Sequence, residues 1–180
     1  MEEEPKKPNT LWEFAKAVIV SLLIVIPIRA YVAQPFIVDG ASMEPTFYEG
    51  EYLIIDEISY AFNDPKRGDV VVFRFPLRPS QFFIKRIIGL PGETIDIKDS
   101  IVTIRSENGT SFVLPEGYLS QSTQTTPNVE QVSLGQDEYY VMGDNREHSS
   151  DSRAWGVVPR KLMMGKVWVR LLPIPTFSTF

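Results

Sequence analysis

A serine in a small-residue turn, Ser42, a lysine among apolar residues, Lys85, and a polar run from Gly143 to Gly156 hold the reactive groups of this 180-residue sequence. Ser42 sits in Gly40-Ala41-Ser42-Met43-Glu44-Pro45-Thr46, where small residues let another backbone come close and Pro45 favours a turn. A serine hydroxyl attacks only when a neighbouring base takes its proton. The usual base is histidine, but the chain has one, His148, and no cysteine. The best candidate elsewhere is Lys85, in Phe82-Phe83-Ile84-Lys85-Arg86-Ile87-Ile88, because a lysine set among apolar residues can lose its charge. Taken alone, these two residues are better explained as a turn serine and a strand lysine whose tip reaches water.

The stretch Gly143-Asp144-Asn145-Arg146-Glu147-His148-Ser149-Ser150-Asp151-Ser152-Arg153 is densely polar and lies between apolar strands. It could be a solvated loop or an acidic metal loop. The calcium reading fails, because Asp144, Asn145 and Asp151 do not follow the alternate-position pattern of a dedicated calcium loop. Asp144, Asn145, Arg146, Asp151 and Arg153 can instead knit the loop by charge-assisted hydrogen bonds and hold neighbouring groups in place.

Composition narrows the classes. A net charge of −5 with no basic block argues against nucleic acid as a partner. Zero cysteines exclude a cysteine protease and any thiolate zinc site, and a single histidine leaves no imidazole metal cluster. No metal and no cofactor is expected. The apolar content of 43% supports a real core, and fourteen prolines and eleven glycines between short apolar runs predict an all-β, mainly antiparallel body.

The rest of the chain divides into a charged start, one apolar run and a series of short strands. Met1 to Thr10 is charged and reads as a disordered tail. Ala17 to Ile28 is a twelve-residue run free of charge, short of the roughly 18–20 residues of a membrane span. Extended to Leu11–Tyr31, with Trp12 and Tyr31 at interface depth and Lys16 and Arg29 reaching outward, it reads as a transmembrane helix. Lys6, Lys7 and Lys16 then favour a cytoplasmic N-terminus and an extracytoplasmic body at 32–180. A cleaved secretory signal suits the length but not the cut, since cleavage after Ala33 would put bulky Tyr31 at −3. A buried core helix would show more of a polar face than Ser21 provides.

Beyond the anchor, Gln34–Val38, Glu51–Ile58, Asp69–Phe75, Phe82–Leu90, Ser111–Leu114, Glu138–Met142 and Gly165–Leu172 read as extended segments or strands. Thr94–Lys98 and Ile101–Arg105 form a hairpin about Asp99-Ser100. The segment 116–130, with Ser-Gln-Ser-Thr-Gln-Thr-Thr-Pro at its centre, reads as a polar insert and flexible surface loop.

Four ordered motifs carry a resemblance to a known family. They are Ser42-Met43-x-Pro45-Thr46, Arg67-Gly68-Asp69-Val70-Val71, Lys85-Arg86 with Gly89-Leu90-Pro91-Gly92-Glu93, and Gly143-Asp144-Asn145-Arg146 through Ser149-x-Asp151-Ser152-Arg153. Together they resemble the boxes of bacterial type I signal peptidases, over the chain from the apolar anchor to about Gly165. The resemblance implies a membrane-anchored serine endopeptidase with a Ser/Lys dyad, acting on signal peptides of preproteins outside a plasma or thylakoid membrane. Its partners would be the preprotein, the lipid bilayer and the export machinery. It makes Ser42 the nucleophile, Lys85 the general base, Ser149 the serine that orients the lysine, and Asp151 with Arg153 the bracing pair. Where some members carry a hydroxyl residue two positions before the nucleophile this chain has Gly40, leaving the Ser42 N–H as the main oxyanion donor. Signal peptides end in small residues at −1 and −3, so shallow apolar pockets are expected, with Phe36, Val38 and Ile84 as walls; core packing explains those three as well. A self-cleaving repressor would need a DNA-binding domain and an internal scissile site, and neither is legible. A peptide-binding module with a dead site would be free to lose Ser42, Lys85 or Ser149.

Overall fold

The computed structural model describes residues 10–27, 33–120, 122–173 and 176–180. Helix α1 (Thr10–Pro27) comes first and carries an exposed Glu13–Lys16 ion pair at 3.0 Å. Its 18 residues extend about 27 Å at 1.5 Å per residue, and among the described residues no helix is long and apolar enough to cross a membrane. The described helix covers Leu11 to Pro27 of the expected Leu11–Tyr31 segment; residues 28–31 and the expected disordered tail, apart from helical Thr10, lie outside the described residues.

The body is built from two mainly antiparallel sheets. The larger orders strands β1 (Ala33–Ile37), β2 (Tyr52–Asp56), β11 (Met163–Leu172), β3 (Val70–Phe75), β4 (Arg78–Gly89), β9 (Glu138–Met142) and β10 (Val158–Pro159), with β12 (Ser178–Thr179) on β11. The smaller orders β7 (Ser111–Val113), β6 (Ile101–Arg105), β5 (Thr94–Lys98) and β8 (Val129–Ser133). In the β5–β6 hairpin Lys98 faces Ile101, and the two turn residues Asp99 and Ser100 take φ of 50° and 66°, as a two-residue hairpin turn demands.

Strand β3 explains itself by burial. Its Val-Val-Val-Phe run does not alternate with polar residues because both faces are covered. Val70 and Val72 pack with Val38, Met43, Phe47 and Leu53, while Val71 and Phe73 pack with Ile87, Tyr139 and Val141. The first group seats the Ser42 turn, since Met43 and Phe47 within it are wholly buried. The turn is closed at its base by Val38 N–H to Glu51 O and Gly50 N–H to Val38 O, both at 2.9 Å.

The segment 116–130 departs from the expectation of a flexible loop. Its C-terminal end begins strand β8, which pairs with β5, and Thr125 is buried. The polar composition hid a strand on the exposed edge of the small sheet. Two further short helices, α2 (Ser59–Phe62) and α3 (Ser152–Trp155), were too brief to leave a periodic signal.

Candidate active site

Strand pairing brings the three polar segments together. Lys85 lies opposite Val71 in the β3–β4 ladder, and the next residue, Arg86, lies opposite Met142 at the end of β9. The chain leaving β9 is therefore delivered beside Lys85 as Gly143. That loop also grips the Ser42 turn: Asn145 N–H donates to Ser42 O at 3.1 Å, and Asn145 Nδ2 to Ala41 O at 3.0 Å.

Lys85 Nζ donates to Ser42 Oγ at 2.7 Å and to Ile84 O at 2.8 Å. The side chain is buried, and its nitrogen sits 5.4 Å from the Phe83 ring centre. Burial lowers the pKa of this amine to about 8, against the opposing charges of Asp151 and Asp144. An amine so tuned is a base at mildly alkaline pH, held within reach of a hydroxyl proton. His148 is exposed and makes no side-chain hydrogen bond among the described residues.

Two carboxylates brace the surroundings. Asp144 accepts from Arg86 Nε at 2.8 Å and Nη2 at 2.6 Å, a two-pronged pair, and also from Thr46 Oγ1 at 2.6 Å. Asp151 accepts from Arg153 Nε at 2.8 Å and Nη2 at 2.7 Å, and from Gly143 N–H at 3.0 Å. Burial of Asp151 would raise its pKa, but the Arg153 guanidinium and the Gly143 N–H hold it below the ordinary carboxylate value. Arg146 is buried, donating from Nε to Gly143 O at 3.0 Å and from Nη1 to Thr125 Oγ1 at 2.6 Å, with Glu116 as its ion-pair partner.

Gly143 is where these groups crowd. A Cβ added there would overlap the Ser42 carbonyl oxygen and the Ser149 hydroxyl, so only glycine lets the two serine segments close on it. Ser149 Oγ is buried and makes no hydrogen bond of ordinary geometry among the described residues, yet it lies close enough to Asp151 to help hold that carboxylate's pKa down. Both Lys85 hydrogen bonds go elsewhere, so the structure does not show the expected Ser149–Lys85 bond. At Gly40, φ is 82°, and the space where a side chain would stand is open. The residue serves backbone conformation there and supplies no side-chain donor.

A cleft of about 270 Å³ runs past Ser42 and Lys85. Phe36, Val38 and Ile84 line it, joined by Leu53, Val72 and Phe82. Phe36 and Phe82 meet edge to face, 5.7 Å apart. That volume is near the small end for ligand sites, and the lining is mainly apolar.

Sequence reasoning placed all eleven of its site residues on the cleft, the turn or the 143–153 loop, but missed Thr46, Gly143, Glu116, Tyr118 and Thr125 as their supports. Arg86 could have been named from its place beside Lys85. Nothing in the 116–130 composition pointed to the loop it supports.

The chain matches the family described as "Signal peptidase, peptidase S26" over residues 11–172. It is similar to "Probable signal peptidase I-2" of Synechocystis sp., with 37% identity over 97% of this chain and 79% of that protein. It shares 36% identity with signal peptidase I of Leptolyngbya laminosa, over 95% of this chain and 84% of that one. With signal peptidase I of Bacillus licheniformis the figures are 33% identity, 91% and 90%. The polar cluster and apolar cleft described above thus belong to a member of the signal peptidase family, peptidase S26.

Proposed function

We propose that the chain removes signal peptides from exported preproteins with a Ser42/Lys85 dyad, Ser42 acting as nucleophile and Lys85 as general base. The observation that carries this reading is the 2.7 Å hydrogen bond from Lys85 Nζ to Ser42 Oγ beside an apolar cleft. Neutral Lys85 takes the hydroxyl proton as Ser42 Oγ attacks the scissile carbonyl. The oxyanion is held by the Ser42 N–H, and the new ammonium returns its proton to the leaving amine. Water then attacks the acyl-enzyme with Lys85 again as base, and Ser42 Oγ leaves with a proton. Ser149 orients the amine, a role supported by its burial against Gly143, beside the Ser42 carbonyl and near Asp151. Asp144, Asn145, Arg146, Asp151 and Arg153 act through the loop and the Ser42 turn.

Small residues at −1 and −3 suit the Phe36, Val38 and Ile84 walls. β1 is an edge strand, and the outer half of β4 pairs with β3 alone, so both offer backbone to an extended peptide. The α1 helix exposes Leu11, Phe14, Ile19 and Leu23, which supports a membrane anchor continued beyond Pro27, with Lys6, Lys7 and Lys16 on the cytoplasmic side. The body would then meet preproteins and the export machinery outside the membrane.

The experiment is incubation of membranes bearing the chain with a radiolabelled preprotein. Wild type should yield mature protein, and Ser42→Ala and Lys85→Ala none. Processing by Ser42→Ala would overturn the reading, whereas processing by Lys85→Ala alone would overturn only the choice of base.

A further inference from the structure

We propose that Tyr118 is a positioning residue of the peptidase reaction, holding the strand that carries Lys85 and the loop that carries Asp144 and Asp151 in one geometry. The inference rests on the Ser42/Lys85 reading above. Tyr118 lies between β7 and β8, in the segment whose polar composition suggested no role. Its ring centre is 4.2 Å from the Arg86 guanidinium carbon and 6.0 Å from that of Arg146. Its hydroxyl accepts from Arg146 Nη2 at 3.1 Å and donates to Glu116 Oε1 at 3.0 Å.

The two arginines lead to the two sides of the site. Arg86 follows Lys85 on β4 and forks Asp144, while Arg146 Nε holds the Gly143 carbonyl. Lying over the Tyr118 ring, the Arg86 guanidinium is confined on that side while it forks Asp144. The bridging hydroxyl fixes the ring relative to Arg146. Burial raises the Tyr118 pKa above its ordinary value, so the hydroxyl keeps its proton and remains a donor to Glu116. Tyr118 is not among the residues lining the cleft, so its effect on the reaction is indirect.

This arrangement has a signature that plain packing lacks. The charges that face Lys85 are Asp151 and Asp144, which are in turn faced by Arg153 and Arg86; Tyr140 adjoins Asp151. Loosening Arg86 leaves Asp144 less neutralised, favours protonated Lys85, and moves the acid limb of the pH–rate profile to higher pH.

The test uses the full chain in detergent micelles, a signal-peptide substrate, and Tyr118→Ala, Tyr118→Phe and Lys85→Ala. Tyr118→Ala should lower kcat by roughly 10- to 100-fold, as small misplacements of reacting groups do, with KM within about twofold. Its acid limb should move upward. Tyr118→Phe keeps the ring on Arg86 and loses only the bridge to Arg146 and Glu116, so its kcat should fall less than that of Tyr118→Ala, by roughly fivefold, with a smaller shift in the same direction. Wild-type kcat in both variants, a change in KM alone, or a fall in kcat with an unmoved acid limb would each overturn the proposal. If Tyr118→Ala shows no cooperative melt, Tyr118→Phe decides on the same readouts. An active Lys85→Ala would defeat the dyad instead, leaving Tyr118 to be judged on kcat and KM.

Discussion

Burying Lys85 beside Phe83 and Ile84 removes most of the water that would stabilise its charge, and the fold bears that cost. The sign follows from the lowered pKa. Between about 8 and the ordinary 10.5 the unfolded chain holds a proton that the folded one lacks, so this group's destabilising effect is complete below pH 8 and fades toward 10.5. The cost below pH 8 is about 3 kcal/mol. Lys85→Met should therefore unfold at higher urea than wild type at pH 7, by about 2–3 kcal/mol in stability, with the difference shrinking at pH 10. A gain that grows with pH would contradict this. Gly143 gives the second prediction at this scale. A methyl there meets the Ser42 carbonyl oxygen and the Ser149 side chain, neither of which can yield without moving the site. Gly143→Ala should lower kcat by about 100-fold while the chain still folds cooperatively. Equal activity would mean that the turn and the loop are not held as described.

Most elements were legible because burial on one or both faces left a pattern. The Val70–Phe73 run, the hairpin about Asp99-Ser100 and the apolar flanks of Lys85 each carry their reason in neighbouring residues. The β8 strand and the role of 116–126 were not legible, because they depend on partners far away in sequence. Glu116, Tyr118 and Thr125 read as solvated loop residues until Arg146, some twenty to thirty positions on, turns out to be buried among them. The same distance hid the cost of removing that arginine. Replacing Arg146 by Met would leave the Glu116 carboxylate, the Thr125 hydroxyl and the Gly143 carbonyl without their donor. The expected loss is about 3–5 kcal/mol in urea unfolding, as for other broken buried pairs. A loss under about 1 kcal/mol, typical of an exposed pair, would place the cluster in water instead.

At the scale of the whole molecule, the helix and the β body are proposed to divide the work between membrane attachment and catalysis. A chain beginning at Ala33 should cut a short signal-peptide substrate while no longer floating with lipid vesicles, and the full chain should do both. Co-flotation of the shortened chain equal to the full one would remove α1 from the anchoring account. If a neutral lysine activates Ser42, the dependence of kcat/KM on pH follows the titration of Lys85. The unbound enzyme should show an acid limb near pH 8, the value to which burial brings Lys85 against the pull of Asp144 and Asp151. An acid limb near pH 4 would assign the proton to a carboxylate and contradict the lysine mechanism.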